Sequence, residues 1–187
     1  MIVIVLPDYN TEDRLLASAR AGDSAAVIQI YDDYFQPVFQ FIRLRVGDTP
    51  LAEDLASEVF VRLVRAFQAG NAPRETLRGW LFQVARHLIH DHVGRQRQLP
   101  LTSLEDWMPA SAEDGPEQQV MHTLSTERMR RALGMLAADQ QEVVILRFGQ
   151  MLSLQETADI MGKSLSAVKA LQFRAVQTLR SLLDAAS

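Results

Sequence analysis

Residues 153–181, SLQETADIMGKSLSAVKALQFRAVQTLRS, decide the reading of this chain. Ser153-x-x-Glu156 is a capping-box pattern and starts a short helix. Gly162 stands where a left-handed C-cap belongs, and Ser164 can cap a second, longer helix. A short helix, a tight turn around Gly162-Lys163-Ser164 and a longer helix make the layout of a helix-turn-helix. Leu154, Ala158, Ile160 and Met161 fall where they pack against Val168, Leu171, Ala175 and Leu179. The opposite face of the second helix then presents Ser166, Lys169, Ala170, Phe173 and Arg174. Lys and Arg neutralise phosphates or reach guanine edges, Ser bonds a base or a phosphate, and Phe meets a thymine methyl group. An ordinary αα-hairpin with a solvated polar face would share the layout. The turn chemistry argues against it, and so does the charge: residues 163–183 hold Lys163, Lys169, Arg174 and Arg180 and no acid.

Working outward, the rest of the chain is also patterned for helices. Asp139-x-x-Glu142 reads as another capping box, just ahead of the hairpin. Near the start, Asn10 or Thr11 can cap a helix through about Ala21, ended by Gly22. Asp23 can cap a second helix, which Pro37 is expected to break or kink, with Gly47 as its stop. Thr49-Pro50 reads as an N-cap followed by Pro at the first helical position. From there Leu51, Leu55, Val59, Leu63 and Phe67, with Phe60 and Val64, form an apolar stripe to about residue 68. Gln68 to Arg74 reads as a loop, and Trp80, Leu81, Val84 and Ala85 begin another helix. Strand-like alternation is missing almost everywhere, so the fold class is all-α.

Periodicity stops between about 98 and 120, where Pro100, Pro109, Gly115 and Pro116 punctuate the chain. Residues 100–126 hold 0 basic and 5 acidic residues, whereas residues 127–187 hold 8 basic and 6 acidic. The organisation is therefore two helical domains joined by an acidic linker, which retains Leu101, Leu104, Trp107 and Met108 as apolar contacts. The overall numbers are consistent with this: 187 residues, net charge −4, 48% hydrophobic residues. No cysteine is present, which excludes disulfides, Cys-based metal centres and a Cys nucleophile, and makes the reducing cytoplasm the expected location. The apolar start, MIVIVL, is too short for a membrane span or a signal core, so no membrane insertion is expected.

Two further groupings carry chemistry more weakly. Asp54 and Glu58 are spaced i,i+4 on one helix, either a docking face for a basic partner or simply a solvated face. His87, His90, Asp91 and His92 are clustered, but no H-E-x-x-H arrangement or further ligand accompanies them. There is no P-loop, no G-x-G-x-x-G and no G-x-S-x-G elbow. Nothing points to catalysis or to a cofactor.

Three stretches together resemble the bacterial RNA polymerase sigma factors of the extracytoplasmic-function (ECF) class of the sigma-70 family. AEDLASEVFVRLVRAF, residues 52–67, and RGWLFQVARHLIHDHVGRQRQ, residues 78–98, resemble region 2. LGMLAADQQEVVILRFGQMLSLQETADIMGKSLSAVKALQFRAVQTLR, residues 133–180, resembles region 4. The resemblance implies an N-terminal extension at 1–10, region 2 at 11–98, a linker at 99–122 and region 4 at 123–187. It implies a transcription initiation factor, not an enzyme. Region 2 would bind the polymerase clamp and open the −10 element; region 4 would bind the flap and read the −35 element. The linker's negative charge would suit the basic channels of the polymerase. Core RNA polymerase and promoter DNA are the implied partners, with an anti-sigma factor as a further one.

Residue by residue, the resemblance assigns core binding to Asp54, Ser57 and Glu58, with Ser57 in place of the usual Gln. It assigns the −10 element to Trp80, His87, Leu88, His90 and Asp91. His87 replaces the usual Asn and opens a loop that would capture a flipped base, together with His90 and Asp91. The −35 element falls to Ser166, Ala167, Lys169, Ala170, Phe173 and Arg174. The common V-K-S-R-L-H-R-A becomes Val168 to Ala175, VKALQFRA, losing a hydroxyl and an Arg and placing Leu171 before Gln172. Three other readings remain open on the residues alone, one of them a zinc or other hydrolase using His87, His90 and Asp91. An autonomous helix-turn-helix regulator would bind DNA tightly without polymerase. A decoy would occupy polymerase without initiating.

Overall fold

The computed structural model of the chain describes residues 6–73, 76–93, 128–129 and 131–185. Every regular element among them is helical. The first half contains α1 (Tyr9–Arg20), α2 (Ser24–Val46), α3 (Thr49–Gln68) and α4 (Leu77–Val93). The second contains a short helical stretch at 131–134, then α5 (Ala138–Val144), which widens into a π-helical turn at Ile145–Gly149. α6 (Leu154–Met161) and α7 (Leu165–Asp184) complete it. The connector at 99–122 lies outside the described residues.

Aspartates set the starts of the first three helices. α1 begins at Tyr9 rather than after Asn10 or Thr11, because the Asp8 carboxylate accepts from the Thr11 N–H at 3.0 Å and from its hydroxyl at 2.8 Å. Those two bonds hold the Asp8 carboxyl below its ordinary 3.8. α3 likewise starts from Asp48, which accepts from Leu51 N–H at 2.8 Å, so Thr49 is the first helical residue and Pro50 the second. Asp23 caps α2 as the sequence predicts, and Gly47 closes it at φ 72°. Pro37 does not break α2, which runs on for 23 residues. Tyr34, Pro37, Val38, Phe41 and Ile42 all lie in the core, and their burial outweighs the one hydrogen bond proline removes.

The helix-turn-helix forms with the predicted chemistry. Ser153 Oγ accepts from Glu156 N–H at 3.1 Å, while Glu156 Oε2 accepts from Ser153 N–H at 2.8 Å. Gly162 takes the left-handed conformation, φ 62° and ψ 36°, and Ser164 Oγ accepts from Ala167 N–H at 3.2 Å. The other expected capping box is absent. α5 starts two residues earlier, from Ala137, whose N–H donates to Gln140 Oε1 at 3.3 Å. Glu142 is thereby left to point inward, and is only 1% exposed.

α2 is the spine of the first half, flanked by α1, α3 and α4, with Phe41 edge-on to Phe82 at 5.3 Å. The same hydrophobic core continues without interruption into Val143, Leu146, Leu152, Ile160, Val168 and Ala175 of the second half. The two halves thus close on each other, α4 against α6 and α2 against the π-helical turn.

Candidate nucleic-acid and polymerase interfaces

A buried polar knot fixes the start of α4. Glu12, 1% exposed, accepts through Oε1 from the N–H groups of Leu77 (2.7 Å) and Arg78 (3.2 Å). It is a tertiary cap for a helix that begins 65 residues later. Its Oε2 accepts from Tyr34 Oη at 2.7 Å and Arg78 Nε at 2.6 Å. Burial, together with the charge of Glu12 and its hydrogen bond, pushes the Tyr34 hydroxyl far above its usual 10.0. Burial opposes the charge of Arg78, but the bond to Glu12 and its charge win and raise the guanidinium's pKa. Arg78 also donates to Pro7 O and lies 4.2 Å from the centre of the Tyr9 ring. The sequence reading missed this knot. Its only local signal is an acid placed among the inward positions of an otherwise amphipathic helix.

With α4 so placed, Trp80, Gln83, His87, His90 and Asp91 follow one another along one stripe of the helix. His87, His90 and Asp91 are exposed, while Trp80 is half-buried where α4 meets α6. The expected loop at His87 is instead helix, continuous from Leu77 to Val93. Leu88 is 6% exposed and belongs to the core, so it offers no surface to a ligand. The reason is periodicity: a residue one step from the exposed His87 is turned about 100° toward α2 and α3. Among the described residues no group of three His, Cys, Asp or Glu side chains is arranged to hold a metal ion.

On α3, Asp54 and Ser57 are exposed and Glu58 is half-buried. Glu58 is not a bare carboxylate, because Arg62 Nε lies 2.9 Å from its Oε1 one turn later. That i,i+4 pair was legible in the sequence and tempers the negative charge of this face.

On α7, Val168, Leu171 and Ala175 are buried, while Ser166, Ala167, Lys169, Ala170, Phe173 and Arg174 are exposed, Phe173 by 66%. Lys163 is occupied, its Nζ 2.9 Å from Asp139. Lys169 and Arg174 have no ion-pair partner among the described residues, so they are the cations this face can offer to phosphates. Gln172, which the sequence places out of the usual order, accepts from Arg147 Nε at 2.9 Å, and Arg147 also donates to Leu152 O. That link ties the exposed helix to the segment leading into the helix-turn-helix.

Among the described residues, an all-helical fold that exposes a basic helix-turn-helix and a polar helix stripe has the layout of nucleic-acid-binding proteins of the transcription-factor type. Comparison with known sequences makes the family specific. The Sigma-70 region 2 description matches residues 30–98, and Sigma-70 region 4 matches residues 132–181. The chain is 40% identical over 170 residues to the ECF RNA polymerase sigma factor BldN of Streptomyces coelicolor, covering 90% of this chain and 64% of that one. It is 34% identical over 182 residues to the ECF sigma factor SigD of Mycobacterium tuberculosis, covering 93% of this chain and 84% of that one. The chain belongs to the ECF class of the sigma-70 family of RNA polymerase sigma factors, as the resemblance implied. The structure of CnrH in complex with the cytosolic domain of CnrY has the same fold, with a TM-score of 0.70 at 24% identity over 95% of this chain and 99% of that one. No helix among the described residues is long and apolar enough to cross a membrane.

Proposed function

We infer that this chain binds core RNA polymerase and directs it to promoters, with each of its two halves reading one promoter element. The observation that carries this is the division of α7 into a buried face and an exposed face bearing Lys169, Phe173 and Arg174 on a correctly capped helix-turn-helix. Ser166, Ala167, Lys169, Ala170, Phe173 and Arg174 are proposed to read the −35 element. Lys169 and Arg174 supply the phosphate and base-edge cations, and Phe173 the thymine-methyl contact. Trp80, His87, His90 and Asp91 are proposed for the −10 element. His87 is the group with both a donor and an acceptor to offer a displaced base. Asp54, Ser57 and Glu58 are proposed to meet the polymerase clamp.

The proposed boundaries are region 2 at 11–98, a linker at 99–122 and region 4 at 123–187. The proposed location is the cytoplasm, where polymerase and promoter are, and the proposed role involves no catalysis by the chain itself. An anti-sigma factor is a further proposed partner, by analogy with RpoE of Bartonella quintana, whose solved structure holds the anti-sigma factor NepR.

The test is run-off transcription with purified core polymerase on a library of random promoters. Transcripts that require this protein and share two sequence elements support the reading. His87→Ala should then alter the −10 preference alone, and Lys169→Ala should weaken use of the −35 element. Binding to core without transcripts would make the chain a decoy, and tight DNA binding without core would make it an autonomous regulator.

A further inference from the structure

Residues 168–175, VKALQFRA, carry most of the exposed reading face of α7 and one polar residue at its rim. Gln172 is half-buried, between the buried Leu171 and the exposed Phe173. Its Oε1 accepts from Arg147 Nε at 2.9 Å, across 25 residues of chain. Arg147 stands in the π-helical turn at Ile145–Gly149 and is itself half-buried. Through Nη1 the same guanidinium donates to Leu152 O. Leu152 is buried and follows Met151, a non-glycine residue held in the left-handed region at φ 53°. One planar group therefore fastens the π-helical turn, the strained loop before α6, and α7.

The apolar contacts of α7 do not fix its rotation. Val168, Leu171 and Ala175 are buried in the core, but apolar burial is non-directional. A helix can roll on such a surface and keep most of its contact area. A hydrogen bond is directional, and the rigid fork of arginine orients two acceptors at once. Rotation matters because reading side chains stand about 5–6 Å from the helix axis. A roll of about 20° carries their tips sideways by about 2 Å. That is several times the roughly 0.5 Å window of good hydrogen-bond distances.

We propose that Arg147 and Gln172 are the positioning pair of the −35 reading face. Arg147 holds α7 at one rotation through Gln172, and Gln172 itself reads no base. The pair also gives the order Leu171-Gln172 a physical reason. Leucine takes the buried position, 9% exposed, and glutamine takes the rim where Arg147 reaches it. What α7 reads rests on the promoter role proposed above; what holds it rests on the geometry alone.

Two measurements separate the link from its purpose. In the free chain the Arg147 Nε–H should exchange slowly with solvent in nuclear magnetic resonance spectra. Gln172→Leu should speed that exchange at least about tenfold, because the bond no longer has to open first. In core-dependent transcription the wild-type chain should favour its preferred −35 sequence over single-base variants of it. Gln172→Leu should flatten that preference about three- to tenfold while far-UV circular dichroism stays unchanged. Gln172→Glu keeps an acceptor for the guanidinium. It should retain the preference but weaken use of every −35 sequence alike, because a carboxylate near the phosphates repels them. If Gln172→Leu loses its helical signal, Gln172→Ala decides. Fast Arg147 exchange in the wild type overturns the link. An unchanged preference in Gln172→Leu, or one flattened equally in Gln172→Glu, overturns the positioning role. A wild-type chain with a protected Arg147 N–H and no core-dependent transcripts would instead overturn the promoter role, and the positioning role with it.

Discussion

At the scale of single residues, the buried polar groups control most. Tyr34 donates to Glu12 Oε2 from a fully buried position, and Arg78 Nε is the other donor to that oxygen. Tyr34→Phe should lower stability by about 1–2 kcal/mol, because an acceptor is left short of a donor. The pH dependence follows from the raised folded-state pKa. The contribution of neutral Tyr34 is fully present below the unfolded value of 10.0 and is lost as pH rises through the folded value. Urea unfolding at neutral pH and again above pH 10.0 should therefore show a steeper alkaline loss in the wild type than in the variant. Leu88 makes the opposite point. Its neighbour His87 faces solvent, yet Leu88→Ala should cost about 2–5 kcal/mol, read in the same melts. Any promoter preference the protein shows should survive it at a temperature where the variant is folded.

At the scale of elements, capping decides where each functional face points. Gly162 sets the turn of the helix-turn-helix at φ 62°, with open space where a Cβ would stand. Gly162→Ala should therefore cost only the left-handed strain, about 1 kcal/mol, visible as a lower melting temperature. A loss several times larger would mean that the turn is also packed by something outside the helix pair. The hairpin was legible in advance because its signals are all local: Ser153 and Glu156 three apart, Gly162 after the helix, Ser164 before the next. The starts of α1, α3 and α5 were misplaced by one to three residues. Several Asp, Asn and Thr residues compete there for the same cap, and only tertiary packing selects among them. The continuity of α2 through Pro37 has a related reason. A proline's local cost is fixed, whereas the burial that offsets it comes from three other helices.

For the whole molecule, the continuous core and the charges across the seam predict cooperative behaviour. Heat should unfold both halves in one transition, with calorimetric and van't Hoff enthalpies equal. Arg86→Ala, which strips Glu142 of its closest partner, should divide or broaden that transition. Arg62→Ala, at the exposed pair with Glu58, should leave it in place to within about 1 kcal/mol.

The sequence by itself determined the helical class, the helix-turn-helix with its caps, the exposed face of α7 and the family. All of these depend on residues within a few turns of one another, where periodicity and capping chemistry are readable. Only the tertiary structure decided the partners of Glu12, Glu142 and Glu156. Each meets its arginines across 56 to 97 residues of chain. A carboxylate's charge is visible in a sequence, but its burial and its counter-charge are properties of a surface that exists only once distant helices have packed together.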